Sequence, residues 1–151
     1  MRTSRIALAM LSFSFALMAA DSFVGTWKLN VAKSTLTGTS SDILSQTMTI
    51  SETGSDIRTI IDVVSKSGET RHEEHTRTVD GKEHPARGAG FKLEGATETV
   101  LRVDASTHQI TAKRDGKVTG VITSTTSPDG KVMTNHRTGS AGEEILVFDR
   151  Q

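Results

Sequence analysis

Thr47-Met48-Thr49-Ile50-Ser51-Glu52-Thr53-Gly54-Ser55-Asp56-Ile57-Arg58-Thr59-Ile60-Ile61-Asp62-Val63 contains two runs of alternating character on either side of a turn. In the first run Met48 and Ile50 alternate with Thr47, Thr49 and Ser51; in the second, Ile57, Thr59, Ile61 and Val63 occupy one set of alternate positions. Successive side chains of a strand point to opposite faces, so a period of two gives each run one face for an interior and one for water. With Thr53-Gly54 as a tight turn, the stretch reads as a β-hairpin.

The same rhythm runs outward in both directions. Phe23, Gly25, Trp27 and Leu29 share one face of a first strand, and further strands are predicted over about 69–78, 97–103, 109–113, 117–125, 131–138 and 143–149. Turn-type glycine pairs stand between them at Ser67-Gly68, Asp80-Gly81, Asp115-Gly116, Asp129-Gly130 and Ala141-Gly142. Thr supplies 21 residues beyond position 20, a bias that favours strands because β-branched side chains lose rotamer freedom in a helix. Val31 to Leu44 breaks the rhythm and reads as a crossover loop with room for one helical turn. Short strands joined in sequence by tight hairpins predict an all-β fold, an up-and-down antiparallel barrel of about eight to ten strands whose closure removes sheet edges. A β-sandwich is the alternative, but its Greek-key crossovers need longer connections.

Residues 1–20 carry Arg2 and Arg5 and then an apolar run from Ile6 to Ala20, interrupted only by Ser12 and Ser14. This predicts a signal peptide cleaved near Ala20 and an exported protein, periplasmic or extracellular, whose domain spans 21–151. Fifteen residues at about 1.5 Å rise fall short of a hydrocarbon core of roughly 30 Å, so no stable membrane insertion is expected after cleavage. Beyond residue 20 the chain has 16 basic and 18 acidic side chains, no cysteine, and only Phe23, Trp27, Phe91 and Phe148 as aromatics. Disulfides and thiolate chemistry are excluded, and neither a basic cluster nor a stacking platform recommends a nucleic-acid partner. Only 38 of these 131 residues, or 29%, are apolar, which predicts a partly polar interior or an enclosed cavity.

Phe23-Val24-Gly25-Thr26-Trp27-Lys28-Leu29-Asn30, followed by Lys33-Ser34, by Asp80-Gly81-Lys82 before Pro85, and by a closing Val147-Phe148-Asp149-Arg150-Gln151, resembles small exported bacterial lipocalin-like proteins. The opening Gly-x-Trp is similar to that of the calycin superfamily, the lipocalins and fatty-acid-binding proteins. The resemblance implies a calycin-type barrel with Gly25, Trp27 and Arg150 in structural roles: the Trp closes one end and a basic side chain of the last strand packs across it. It also implies that the helix pair capping the fatty-acid-binding barrel is shortened here to the loop 31–44. In those proteins an Arg-x-Tyr pair on the last strand holds the ligand carboxylate, and the positions similar to it here are Leu146 and Phe148. A neutral or weakly polar ligand is therefore expected rather than a fatty acid held in that way.

Arg71-His72-Glu73-Glu74-His75-Thr76-Arg77 holds two of the five histidines, but on a strand residues three apart point to opposite faces, so a shared metal is not expected. Glu69 to Thr78 has no apolar face, which fits either a polar cavity wall or a hairpin splayed outside the barrel. His136, with Thr134 on its own face, can point inward to a ligand or outward to solvent. Gly88-Ala89-Gly90 with Gly95 lacks the strand-to-helix setting of a dinucleotide fingerprint and reads as a flexible loop at the barrel rim. No paired nucleophile and base is legible, so neither catalysis nor a cofactor is expected. The candidate ligand-binding residues are Trp27, His72, His136, Leu146 and Phe148, with Thr59, Thr99 and Thr134 as small inward positions. The expected function is uptake of a small apolar or amphipathic molecule at the end opposite Trp27. The alternative is a structural or interaction module with a filled barrel, and an interior volume above about 300 Å³ separates the two.

Overall fold

A computed structural model describes residues 22–140 and 142–151. The predicted signal peptide, residues 1–20, lies outside the described residues. Eleven strands follow in chain order: β1 (Gly25–Leu29), β2 (Ile43–Thr53), β3 (Asp56–Ser65), β4 (Thr70–Thr78), β5 (Glu83–Pro85), β6 (Arg87–Ala89), β7 (Ala96–Asp104), β8 (Thr107–Arg114), β9 (Lys117–Thr126), β10 (Val132–Gly139) and β11 (Gly142–Arg150). They form one antiparallel sheet in the order β5-β7-β8-β9-β10-β11-β1-β2-β3-β4-β6. Because β1 pairs with both β2 and β11, the ends of the domain meet and the sheet curls into a nearly closed barrel, the predicted architecture. The hairpin read over residues 47–63 is β2 and β3, with Thr53 opposite Asp56 across the turn.

Two elements differ from expectation. Two three-residue strands, Glu83–Pro85 and Arg87–Ala89, fall where no strand was predicted, the second running into the Gly88–Gly95 stretch read as a loop, and raise the strand count among the described residues to eleven. Gly88, in the run expected to be flexible, lies opposite His75 in the β4–β6 ladder, where a Cβ would stand 1.8 Å from the Glu74 carbonyl oxygen. Glycine is used there for close backbone approach, which a periodicity argument does not detect. Between residues 31 and 44 the chain makes two single 3-10 turns, Val31–Lys33 and Gly38–Asp42. Asn30 caps the first through Lys33 N–H at 3.2 Å, and Ser34 Oγ accepts from Val147 N–H at 2.9 Å, which pins the loop on β11.

The core is off-centre. Phe23, Trp27, Leu29, Ile43, Met48, Ile50, Ile57, Val63, Met133, Leu146 and Phe148 pack as one buried cluster, drawn mostly from β1, β2, β3 and β11. Trp27 is fully buried and donates its Nε1–H to the Phe23 carbonyl at 2.8 Å. Arg150 lies directly opposite Trp27 in the ladder, with its guanidinium 4.1 Å from the indole centroid. The same guanidinium donates to the carbonyls of Ser22, Val24 and Gly130 at 2.5–2.7 Å, tying the segment before β1 and the β9–β10 turn to the last strand. At Gly25 a Cβ would stand 2.5 Å from Arg150 Nη1, so this residue makes room for the clasp.

Candidate functional site

Beside this core lies a cavity of about 410 Å³, bounded by Phe23 and by residues of β2, β3, β4, β7, β8, β9 and β10. Met48, Ile50, Ile57, Ile61, Val100 and Ile110 provide apolar wall, and Phe23 stacks on His108 at 4.2 Å between centroids. The cavity extends to Thr119 and Thr138, which are exposed. Cross-strand register explains the lining. Ile57, Thr59 and Ile61 of β3 lie opposite Arg77, His75 and Glu73 of β4, so the inward face of β3 is continued by the three polar residues.

These residues form the polar part of the site. Arg77 makes a bidentate ion pair with Glu98 of β7, Nε and Nη2 each 3.0 Å from a carboxylate oxygen, and its Nη2 also lies 2.9 Å from His75 Nδ1. His75 Nε2 stands 3.5 Å from Glu73, which pairs with Arg71 at 2.7 Å. The His75 ring is covered by Phe91, stacked at 4.1 Å. The His75 contact, and then the charge of Arg71, hold the Glu73 carboxyl below its ordinary value even though burial acts to raise it. From β10, Arg137 reaches Glu144 of β11 at 3.3 Å. Burial pulls the Arg137 guanidinium down, Glu144 acts against this, and the charges of Arg77 and Glu73 are close enough to be felt. Arg71, Arg77 and Arg137 thus face Glu73, Glu98 and Glu144, and each cation has a carboxylate partner.

Of the ligand-binding residues named from sequence, none lines this cavity. His72 points outward to Asp62 at 2.7 Å with its side chain 61% exposed. His136 also points outward, to Glu143 at 2.5 Å. Strand alternation places Met133, Asn135 and Arg137 inside instead, and Thr134 shares the outer face with His136. Thr99 likewise alternates with the inward Glu98 and Val100, so of the three threonines expected inside only Thr59 is there. Trp27, Leu146 and Phe148 do face inward, but they are fully buried in the core cluster, which fills the volume beside β1 and β11. For the segment 69–78 the structure selects the polar cavity wall over the splayed hairpin. The residues that reasoning missed are His75, Arg77, Asn135, Arg137 and His108. The first four were legible as one alternation class on β4 and β10, but nothing in either strand says which class faces inward.

No protein-family model matches the chain, and no curated protein matches its sequence. Solved structures match its fold. The wild-type fluorescent protein UnaG superposes with a TM-score of 0.64 at 17% identity, over 88% of this chain and 100% of that one. A Schistosoma mansoni fatty acid binding protein in complex with arachidonic acid gives 0.61 at 17% identity, over 86% of this chain and 96% of its own. Echinococcus granulosus fatty-acid-binding protein 1 gives 0.59 at 11%, over 85% and 97%. The chain thus shares the barrel fold of these fatty-acid-binding proteins, the architecture that the Gly-x-Trp opening implied.

Proposed function

We propose that this protein is a non-catalytic carrier or sensor that takes a small apolar or amphipathic molecule into its barrel. The observation that carries this reading is the cavity of about 410 Å³, apolar along most of its wall and polar on one side. Sites for small molecules have this composition, and the volume lies toward the lower end of the usual range of about 300–1,000 Å³, which favours a compact ligand. That two proteins of the same fold are fatty-acid-binding proteins supports a cavity used for binding. The head group differs from a fatty acid's, in this reading, because every arginine on the cavity side already has a glutamate and the last strand offers Leu146 and Phe148. The filled-barrel alternative has no comparable support, since the interior is not filled.

The apolar run from Ile6 to Ala20 behind Arg2 and Arg5 supports export, with function in the periplasm or outside the cell. N-terminal sequencing of the exported protein should then begin between Ala20 and Phe23, and an intact Met1 in the cytosol overturns export. Binding is tested by titrating the purified protein with Nile red, a neutral dye that brightens in apolar surroundings. Saturable enhancement is expected; its absence, with native mass spectrometry finding no co-purified small molecule, overturns the reading.

A further inference from the structure

Among the described residues, two buried side-chain polar atoms have no hydrogen-bond partner: Asn135 Oδ1 and Arg137 Nε. Both side chains line the cavity and both belong to β10. As residues i and i+2 of a strand they project to the same side, with Cα atoms about 6.5–7 Å apart. Asn135 is only 5% exposed and sits in the ladder between Ser124 of β9 and Leu146 of β11. Arg137 sits one step along, between Ile122 and Glu144, and spends Nη1 on Glu144 while Nε–H has no acceptor. Folded proteins satisfy nearly all such groups, so an unsatisfied pair on two neighbouring cavity-lining side chains, each atom covered by its surroundings, marks a place where a turn of the side chains presents them to a ligand's own polar atoms.

The two atoms have opposite character. Asn135 Oδ1 needs a donor and Arg137 Nε–H needs an acceptor. The charges around them are balanced, because Arg137 is held by Glu144 and Arg77 by Glu98. A carboxylate would satisfy Arg137 but bring no proton to Asn135, and it would add a net negative charge within the field of Glu73, which already acts on Arg137. An ester would supply only the acceptor. We propose that Asn135 and Arg137 form a head-group subsite for a neutral carboxamide or lactam, whose N–H donates to Asn135 Oδ1 and whose carbonyl oxygen accepts from Arg137 Nε. This rests on the cavity-binding reading above and adds to it the class of ligand.

The test compares three competitors with the same chain length, dodecanamide, dodecanoate and methyl dodecanoate, for displacement of Nile red. Filling an otherwise unsatisfied buried group is worth roughly tenfold in affinity, so dodecanamide is expected to displace the dye at about one tenth the concentration of the other two. Asn135→Leu should reduce the amide's advantage over the ester to nothing, and Arg137→Lys, which keeps a cation for Glu144 but removes Nε, should weaken the amide by a similar factor. Thr134→Val, on the outer face of the same strand, should leave the advantage intact. Equal potency of the three competitors on the unaltered protein, or dodecanoate as the strongest, overturns the subsite even if a variant fails to fold. If Nile red binds without any amide preference, only this inference falls; if it does not bind, the cavity reading falls with it.

Discussion

Trp27 and Arg150 secure the end of the barrel where the termini of the domain meet, and they act as a unit. The indole is fully buried in the core cluster, its N–H is satisfied by Phe23, and the guanidinium over its face gathers three carbonyls outside the strands. Replacing so large a buried ring leaves a cavity that the surrounding strands cannot collapse, and Trp27→Ala is expected to cost about 3–5 kcal/mol in urea unfolding. A loss no larger than that of a surface substitution would show that the ring does not carry this end of the core. Glu73 makes a pH-dependent contribution of known sign. Its carboxyl is held below the ordinary value by His75 and then Arg71, so the stability it adds is fully present above the unfolded-state pKa and is lost as pH falls through the lower folded one. The advantage of the unaltered protein over Glu73→Gln should therefore be present at neutral pH and shrink as the carboxylates protonate. An advantage that stays constant through that window contradicts the assignment.

At the scale of elements, the barrel is closed differently on its two sides. β1 bonds to β11 by a regular ladder, whereas between β4 and β7 the described residues show one isolated parallel bridge, from Val79 just beyond β4 to Val100 of β7, while β6 and β5 occupy their edges. The Arg77–Glu98 pair spans this seam with both side chains nearly buried, 11% and 13% exposed. Removing one member of such a pair strands the other charge, so Arg77→Met is expected to destabilise by about 3–5 kcal/mol, with much of the loss recovered in the Arg77→Met, Glu98→Leu double variant. Equal stability of the single and double variants would show that the two residues are not coupled across the seam. The strand geometry of β4 also separates its histidines, His72 outward to Asp62 and His75 inward to Arg77. A chelator is accordingly expected to leave Tm unchanged, and a large fall would mean that the segment is not a strand.

For the whole molecule, the division between core and cavity follows from supply. The buried apolar residues of the core come mostly from β1, β2, β3 and β11, and β4 contributes none. The part of the barrel facing β4 cannot be filled by apolar side chains and is left as a cavity with a polar wall. A ligand that fills it binds the folded state alone and must stabilise it. At a hundredfold excess over Kd the gain is about 2.7 kcal/mol, so Nile red near saturation should raise Tm by several degrees. A dye that binds saturably with no rise in Tm is binding elsewhere than in the folded interior.

Periodicity, turn glycines and the Thr-rich composition were enough to establish an all-β barrel built from sequential hairpins. The first two depend on local rules, alternation along a strand and φ at a turn, that need no knowledge of neighbours. The burial of Phe23, Trp27 and Leu29 followed in the same way, because an apolar face adjoining a polar one has only one reasonable orientation. Strands β4 and β10 offer no such asymmetry. His72 and His75, or His136 and its neighbours Asn135 and Arg137, are polar on both sides, and a shift of one residue in reading exchanges the inner set for the outer. Only the register with β3, β9 and β11 selects His75, Arg77, Asn135 and Arg137 for the interior. What the sequence by itself determined is therefore the barrel and its apolar end. The tertiary structure decided where the cavity lies and which polar atoms face it, because that choice is made by cross-strand pairing between segments far apart in the chain.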